Sequence, residues 1–188
     1  MVDAARALFL ERGYAATTVE SISDRSDVPP ATVYRLFSSK LGILKALLDA
    51  SIAGDDRPET VQERTDIAPL FAESNPRKLL AGFAGVTTAI NERTNDVYRV
   101  LTGAAGSDPA AAALLEEIRR QRDLGQGRIT RTLARNRALK PGLRERDAAD
   151  LVHTLMAPEV YGLFVADRGW SAARYREWLA TTLTQQLL

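Results

Sequence analysis

Residues 18–37 read Thr18-Val19-Glu20-Ser21-Ile22-Ser23-Asp24-Arg25-Ser26-Asp27-Val28-Pro29-Pro30-Ala31-Thr32-Val33-Tyr34-Arg35-Leu36-Phe37, a pattern of two short helices joined by a tight turn. Thr18 suits a helix N-cap, because its hydroxyl can accept a bond from a first-turn N–H, and Val19 and Ile22 then face inward at i, i+3. That helix is expected to end near Ser26. Asp27 makes the turn, since aspartate is among the few non-glycine residues that tolerate a left-handed backbone. Pro30 fits the first turn of the next helix, where its missing N–H would have no partner anyway. Val33, Leu36 and Phe37 recur at i, i+3, i+4 and are expected to pack inward, leaving Ala31, Thr32, Tyr34 and Arg35 outside.

The outward set is what a helix in a DNA major groove needs. Ala31 is small enough for close approach and can touch a thymine methyl. Thr32 can bond a base edge or a phosphate, Arg35 can fork onto guanine O6 and N7, and the Tyr34 hydroxyl can donate to a phosphate oxygen. The same twenty residues also read as an αα-hairpin with ordinary solvated side chains.

The flanks narrow the choice. Upstream runs Ala5-Arg6-Ala7-Leu8-Phe9-Leu10-Glu11-Arg12-Gly13-Tyr14, an amphipathic helix closed by Gly13; downstream come Ser38-Ser39-Lys40 and an apolar helix. Taken together, "ALFLERGYAATTVESIS" and "TVYRLFSSKLGILKALL" resemble the N-terminal domain of the TetR family of transcriptional regulators over residues 1–50. The resemblance implies phosphate contacts from Thr17 or Thr18, Tyr34 and Lys40, and base contacts from Pro30, Ala31, Thr32 and Arg35. Lys40 has independent support, since a cation beside a helix N-terminus can grip a phosphate that the helix dipole also attracts. Four positions depart from the family pattern: Pro29 replaces a Ser or Thr cap, Pro30 a frequent Lys, Leu36 an aromatic or His, and Asp27 a Gly. Residues 1–50 hold six basic and six acidic side chains, so affinity must come from a few placed contacts rather than bulk charge. Family members usually carry a longer, often basic, arm ahead of the first helix; here it is either trimmed or lacking.

With 188 residues, 45% of them hydrophobic, the chain can bury a core without staples. The absence of Cys excludes disulfides, thiol nucleophiles and cysteine metal sites, and suits a reducing cytoplasm. No leader-like segment and no apolar run of about eighteen residues occurs, so a cytoplasmic protein without membrane contact is expected. A net charge of +1 says little about partners, because DNA binding needs a local positive face.

Helical spacing continues to the end of the chain. Leu41, Leu44, Leu47, Leu48 and Ile52 stripe a fourth helix; 54–64 is polar and turn-rich and reads as a linker; a short helix is expected over Ile67–Glu73. Asn75-Pro76 and Asp108-Pro109 each pair a cap with a first-turn proline and open two long helices. Residues 128–146 hold seven Lys or Arg against one acid, as suits a solvated helix end. Glu145 to Asp167 reads as a buried helix kinked at Pro158, and Ser171 caps the last helix. The fold class expected is therefore all-α, with a three-helix helix-turn-helix DNA-binding domain over 1–50 and a helical ligand-binding and dimerisation domain over 51–188.

The two terminal helices carry more apolar surface than one small bundle hides, and the C-terminal region resembles that of many TetR-like regulators. Leu155, Val160, Leu163, Phe164, Tyr175, Trp178, Leu179, Thr182 and Leu183 are the candidates for a homodimer interface. Two-fold symmetry would present two reading helices to a near-palindromic operator. No catalytic motif occurs, and neither cofactor nor metal is expected. His153 lies three residues from Asp150 and could share a metal or a plain hydrogen-bonded pair with it. The family resemblance implies an effector pocket, for which Phe83, Val86, Thr87, Ile90, Asn91, Tyr98, Leu101, Gln121, Ile129, His153, Met156 and Tyr161 mix apolar and polar groups. The expected function is a ligand-responsive regulator, a repressor released from double-stranded DNA by a small molecule. The alternatives are a helical enzyme or small-molecule-binding protein using the N-terminal hairpin structurally, and a DNA-binding dimer without an effector.

Overall fold

The computed structural model describes residues 1–54 and 68–188, which contain helices and connecting turns and no strand. The helices are α1 (Val2–Ala16), α2 (Val19–Ser26), α3 (Pro30–Phe37), α4 (Lys40–Ala53), α5 (Ala68–Ala72), α6 (Pro76–Ala105), α7 (Pro109–Arg135), α8 (Glu145–Leu155), α9 (Pro158–Gly162) and α10 (Ala172–Leu187). Beyond Gly54 the expected linker lies outside the described residues, as does Ile67 at the head of the short helix whose remainder is α5.

Local chemistry sets the helix starts. Asn75 Oδ1 accepts from the N–H groups of Arg77 and Lys78, Asp108 Oδ1 from those of Ala110 and Ala111, and Ser171 Oγ from that of Arg174, each satisfying donors left over in a first turn. Gly13 interrupts α1 with φ 77° and ψ 170°, a backbone open to glycine. No helix among the described residues is long and apolar enough to cross a membrane.

The chain forms two compact units that do not follow its linear order. The first takes in described residues 1–54 and also Arg93–Ile118, the far half of α6 with the near half of α7. Its core joins Leu8 and Phe9 of α1, Ile22 of α2, Val33 of α3 and Ile43 to Leu48 of α4 with Val97, Tyr98 and Leu101 of α6. Arg6 Nη2 pairs with Asp96 Oδ2 at 2.7 Å, and Arg93 donates to the carbonyls of Ser51 (3.1 Å) and Ile52 (3.3 Å), satisfying acceptors at the end of α4.

The second unit comprises described residues 68–92 and 119–188. Its core packs Leu79, Leu80 and Phe83 with Ile129 and Leu133, Val152 and Met156, and the α10 stripe Tyr175, Leu179, Leu183 and Leu187. Pro158 does more than kink the expected helix. Its missing N–H divides it at Met156–Ala157 into α8 and α9, and α9 passes into a π-helical turn over Leu163–Asp167.

Candidate nucleic-acid interface

The turn between α2 and α3 is built from side chains as well as backbone. Thr18 and Ser21 form a reciprocal cap: the Ser21 N–H donates to Thr18 Oγ1 and the Thr18 N–H to Ser21 Oγ, both at 3.1 Å. Asp27 takes the left-handed conformation, φ 53° and ψ 34°, as its residue type allows. Ser23, which sequence reasoning passed over, pins the turn from beneath: its buried hydroxyl donates to the Val28 carbonyl at 2.5 Å, and its own carbonyl accepts from the Val28 N–H at 3.3 Å. Its position one residue after the inward Ile22 was the available signal. At the far end of α3, Ser39 Oγ caps α4 through the Gly42 N–H, and a Cβ at Gly42 would run into the Phe37 carbonyl oxygen.

This frame presents α3 with Val33 buried and Pro30, Ala31, Tyr34 and Arg35 exposed, Thr32 being half-buried. The side chains of Tyr34 and Arg35 bond to none of the described residues. Leu36 departs from expectation. It is 59% exposed rather than inward, because Val33 and Phe37 alone fill the narrow contact that an eight-residue helix makes with its neighbours. The outer face therefore mixes a phenol, a guanidinium and a leucine.

Thr17 and Lys40, two of the expected phosphate contacts, are both engaged within the fold. Thr17 is fully buried, its hydroxyl donating to the carbonyls of Leu8 (3.2 Å) and Gly13 (2.8 Å), so it closes the end of α1 and is removed from the interface. Thr18 is exposed. Lys40 Nζ donates to the Tyr14 carbonyl at 2.7 Å and lies 4.2 Å from the centre of the Tyr14 ring. Burial pulls its pKa below the ordinary lysine value, against the pull of Asp108. An ammonium has three donors, so the bond to Tyr14 aims the group and leaves two donors for a phosphate.

The effector candidates are divided between the two cores. Tyr98 and Leu101 belong to the core of the first unit. In the second unit Phe83, Ile129, Met156 and Tyr161 are spent in close packing, and Gln121 is exposed. Thr87 and Asn91 are buried polar residues, and His153 is half-buried within a cluster of charged side chains. Arg122 Nη2 donates to His153 Nε2 at 2.9 Å, Arg119 pairs with Glu159 at 3.1 Å, and the Arg122–Glu159 separation is 3.7 Å. Because Nε2 accepts, the neutral ring carries its proton on Nδ1, which faces Asp123 Oδ1 at 3.7 Å, so Asp123 rather than Asp150 is its acidic neighbour. Burial first, then the Arg122 charge, holds the His153 pKa below the ordinary histidine value. Asn91 Nδ2, Gln126 Oε1 and His153 Nδ1 are buried atoms with no hydrogen-bond partner. The spacing of Arg122 and Gln126, four residues apart on one face of α7, was the signal that could have found them.

Residues 1–47 match the family model described as bacterial regulatory proteins, tetR family. The helix-turn-helix-type transcriptional regulator YvkB of Bacillus subtilis, itself uncharacterized, is 42% identical over 48 residues, which are 26% of this chain and 25% of that protein. Residues 1–47 are thus similar to the N-terminal domain of the TetR family. The fold of the chain is that of solved family-like structures along its length. NalD, the secondary repressor of the MexAB-OprM multidrug efflux pump in Pseudomonas aeruginosa, superposes with a TM-score of 0.72 at 19% identity, covering 100% of this chain and 93% of that one. The SmeT–triclosan complex gives 0.72 at 18% identity, covering 100% and 89%.

The candidate dimer residues divide into two groups. Tyr175, Leu179 and Leu183 are fully buried in their own unit and have no surface left for a second copy. The reason is geometric: i, i+4, i+8 on α10 is the stripe that faces the core of the second unit. Leu163 is 59% exposed, and Leu155, Val160, Phe164, Trp178 and Thr182 are half-buried, so these keep apolar surface to offer.

Proposed function

We propose that this chain is a ligand-responsive transcriptional repressor of the TetR family that binds a near-palindromic operator as a homodimer and is released by a small molecule. The observation that carries the reading is α3 itself: a short helix anchored through buried Val33 that holds Tyr34 and Arg35 outward with no other task. Arg35 reads a guanine edge, Ala31 and Leu36 meet thymine methyls, Pro30 and Thr32 contact the base edges at the helix start, and Thr18, Tyr34 and Lys40 hold phosphates. Leu163 and its half-buried neighbours pair with a second copy, which gives two reading helices and hence an operator with two half-sites. The polar interior around Asn91, Gln126 and His153 receives the effector. An effector releases DNA only by binding one conformation more tightly than the other. The bound triclosan of the SmeT structure supports a small-molecule role for this fold, and the repressor role of NalD supports the sign.

The test is selection of bound duplexes from a random pool, followed by binding of the selected site and a shuffled one across a salt series. A near-palindrome, with affinity falling as salt rises, is the expected result. Arg35→Ala costs about 1–3 kcal/mol on the selected site and relaxes one base position. Tyr34→Ala weakens every duplex alike without lowering the melting temperature. A selected pool with no consensus, or unchanged affinity in both variants, removes the reading.

A further inference from the structure

Outside α3 and the polar interior, the C-terminal part of α7 borders an open groove of about 230 Å³ lined by Phe71, Arg128, Arg131, Thr132 and Arg135. None of these residues belongs to the effector candidates. The three arginines stand at i, i+3 and i+7, one stripe of a helix, where like charges repel one another. Among the described residues no carboxylate lines the groove, and Arg131 and Arg135 form no hydrogen bond or ion pair with them. Glu73, just past α5, is committed to the Asn75 N–H at 2.8 Å. Attraction to the helix dipole accounts for Arg135 in the last turn, but that effect fades before Arg131 and Arg128.

The guanidiniums are also placed. Arg128 stacks 4.2 Å over the Phe71 ring, which fixes its plane and leaves its N–H edge available. Arg131 Nη1 would be 3.2 Å from a Cβ at residue 127, so the absence of a side chain at Gly127 makes the room this guanidinium occupies. The Thr132 hydroxyl spends its proton on the Arg128 carbonyl at 2.8 Å. Among the described residues every donor left in the groove is therefore a guanidinium N–H, and the positions of Arg128 and Arg135 span roughly 10 Å along the helix axis.

We propose that this groove is a binding site for a small molecule bearing two oxyanion groups, the shared chemistry of a diphosphate and a dicarboxylate. Its guanidiniums grip the two groups while Phe71 supports the first of them from below.

Calorimetric titration of the full chain with pyrophosphate, and separately with glutarate, at fixed ionic strength tests the site. Saturable binding of at least one anion is expected, and the tighter of the two identifies the source. Arg131→Gln with Arg135→Gln weakens it by about tenfold or more, as loss of charge-assisted hydrogen bonds predicts. Both side chains are exposed, so a thermal melt should show the fold intact. Arg137→Gln with Arg146→Gln, an equal loss of charge elsewhere, leaves affinity within about twofold. Three results overturn the proposal: no binding of either anion, equal weakening in both double variants, or loss of duplex DNA affinity in the first double variant without anion binding by the native chain. The last would make the stripe a DNA contact.

Discussion

The reading head and the second unit treat polar groups in opposite ways. Across residues 1–54 no buried side-chain polar atom lacks a partner: Thr17 and Ser23 are buried, and each hydroxyl closes a turn. In the second unit Asn91, Gln126 and His153 each bury an atom that bonds to nothing. Burying an unsatisfied polar group costs stability, whereas a satisfied one specifies geometry. The difference teaches that the first region is built to hold α3 in one place, and the second keeps hydrogen-bonding capacity that its own fold does not use. The same contrast appears on the surface. α3 shows bare functional groups over a closed core, while α10 spends its apolar stripe inside its own unit and Leu163, in the π-helical turn before it, is left exposed.

The hardest test of the first half is Phe9→Ala. Phe9 is fully buried beside Tyr14, with ring centres 5.8 Å apart, and its loss should cost about 3–5 kcal/mol in denaturant unfolding. A cost near zero would mean that the first core is loosely packed. Next comes Thr17→Val, which keeps shape and removes the buried hydroxyl. A loss of about 1–2 kcal/mol is expected, with the base preference of bound DNA unchanged. A changed preference at constant stability would return Thr17 to the interface.

Asn91→Leu makes a similar change in the second unit and should have the opposite sign. Only 3% of Asn91 is exposed and its amide nitrogen is unpaired, so an apolar replacement of similar volume should be neutral or stabilise by up to about 1 kcal/mol. Response to an effector should fall at the same time. A loss matching that of Thr17→Val would erase the comparison.

The smallest effect is a pH dependence. His153 has a folded pKa below its unfolded value, so between the two the unfolded chain binds more protons. Stability from keeping this ring neutral is present above the unfolded pKa and is lost as pH falls through the window down to the folded pKa. Melting curves from pH 8 to pH 5, with His153→Gln as reference, should show a steeper decline in the native chain. Direct NMR titration should place His153 below the ordinary histidine range, and Arg122→Gln should raise it. A midpoint at or above the ordinary value would sink the assignment.

What sequence alone determined is local. The caps at Thr18, Asn75, Asp108 and Ser171, the left-handed turn at Asp27 and the first-turn prolines involve residues within a few positions of each other, so backbone chemistry decides them before any long-range contact forms. The helical class and the outward placement of Ala31, Tyr34 and Arg35 were legible for the same reason. What only the tertiary structure decided is which face of each helix is covered, and by what. Periodicity marks an apolar stripe but cannot name its partner. It therefore placed Leu36 inside and offered Tyr175, Leu179 and Leu183 to a second copy, and it left α6 in one domain although its two ends serve different cores. Thr17 differs from Thr18 by one residue, and only the packing of α1 against α2 and α4 sends one hydroxyl inward and the other to the surface.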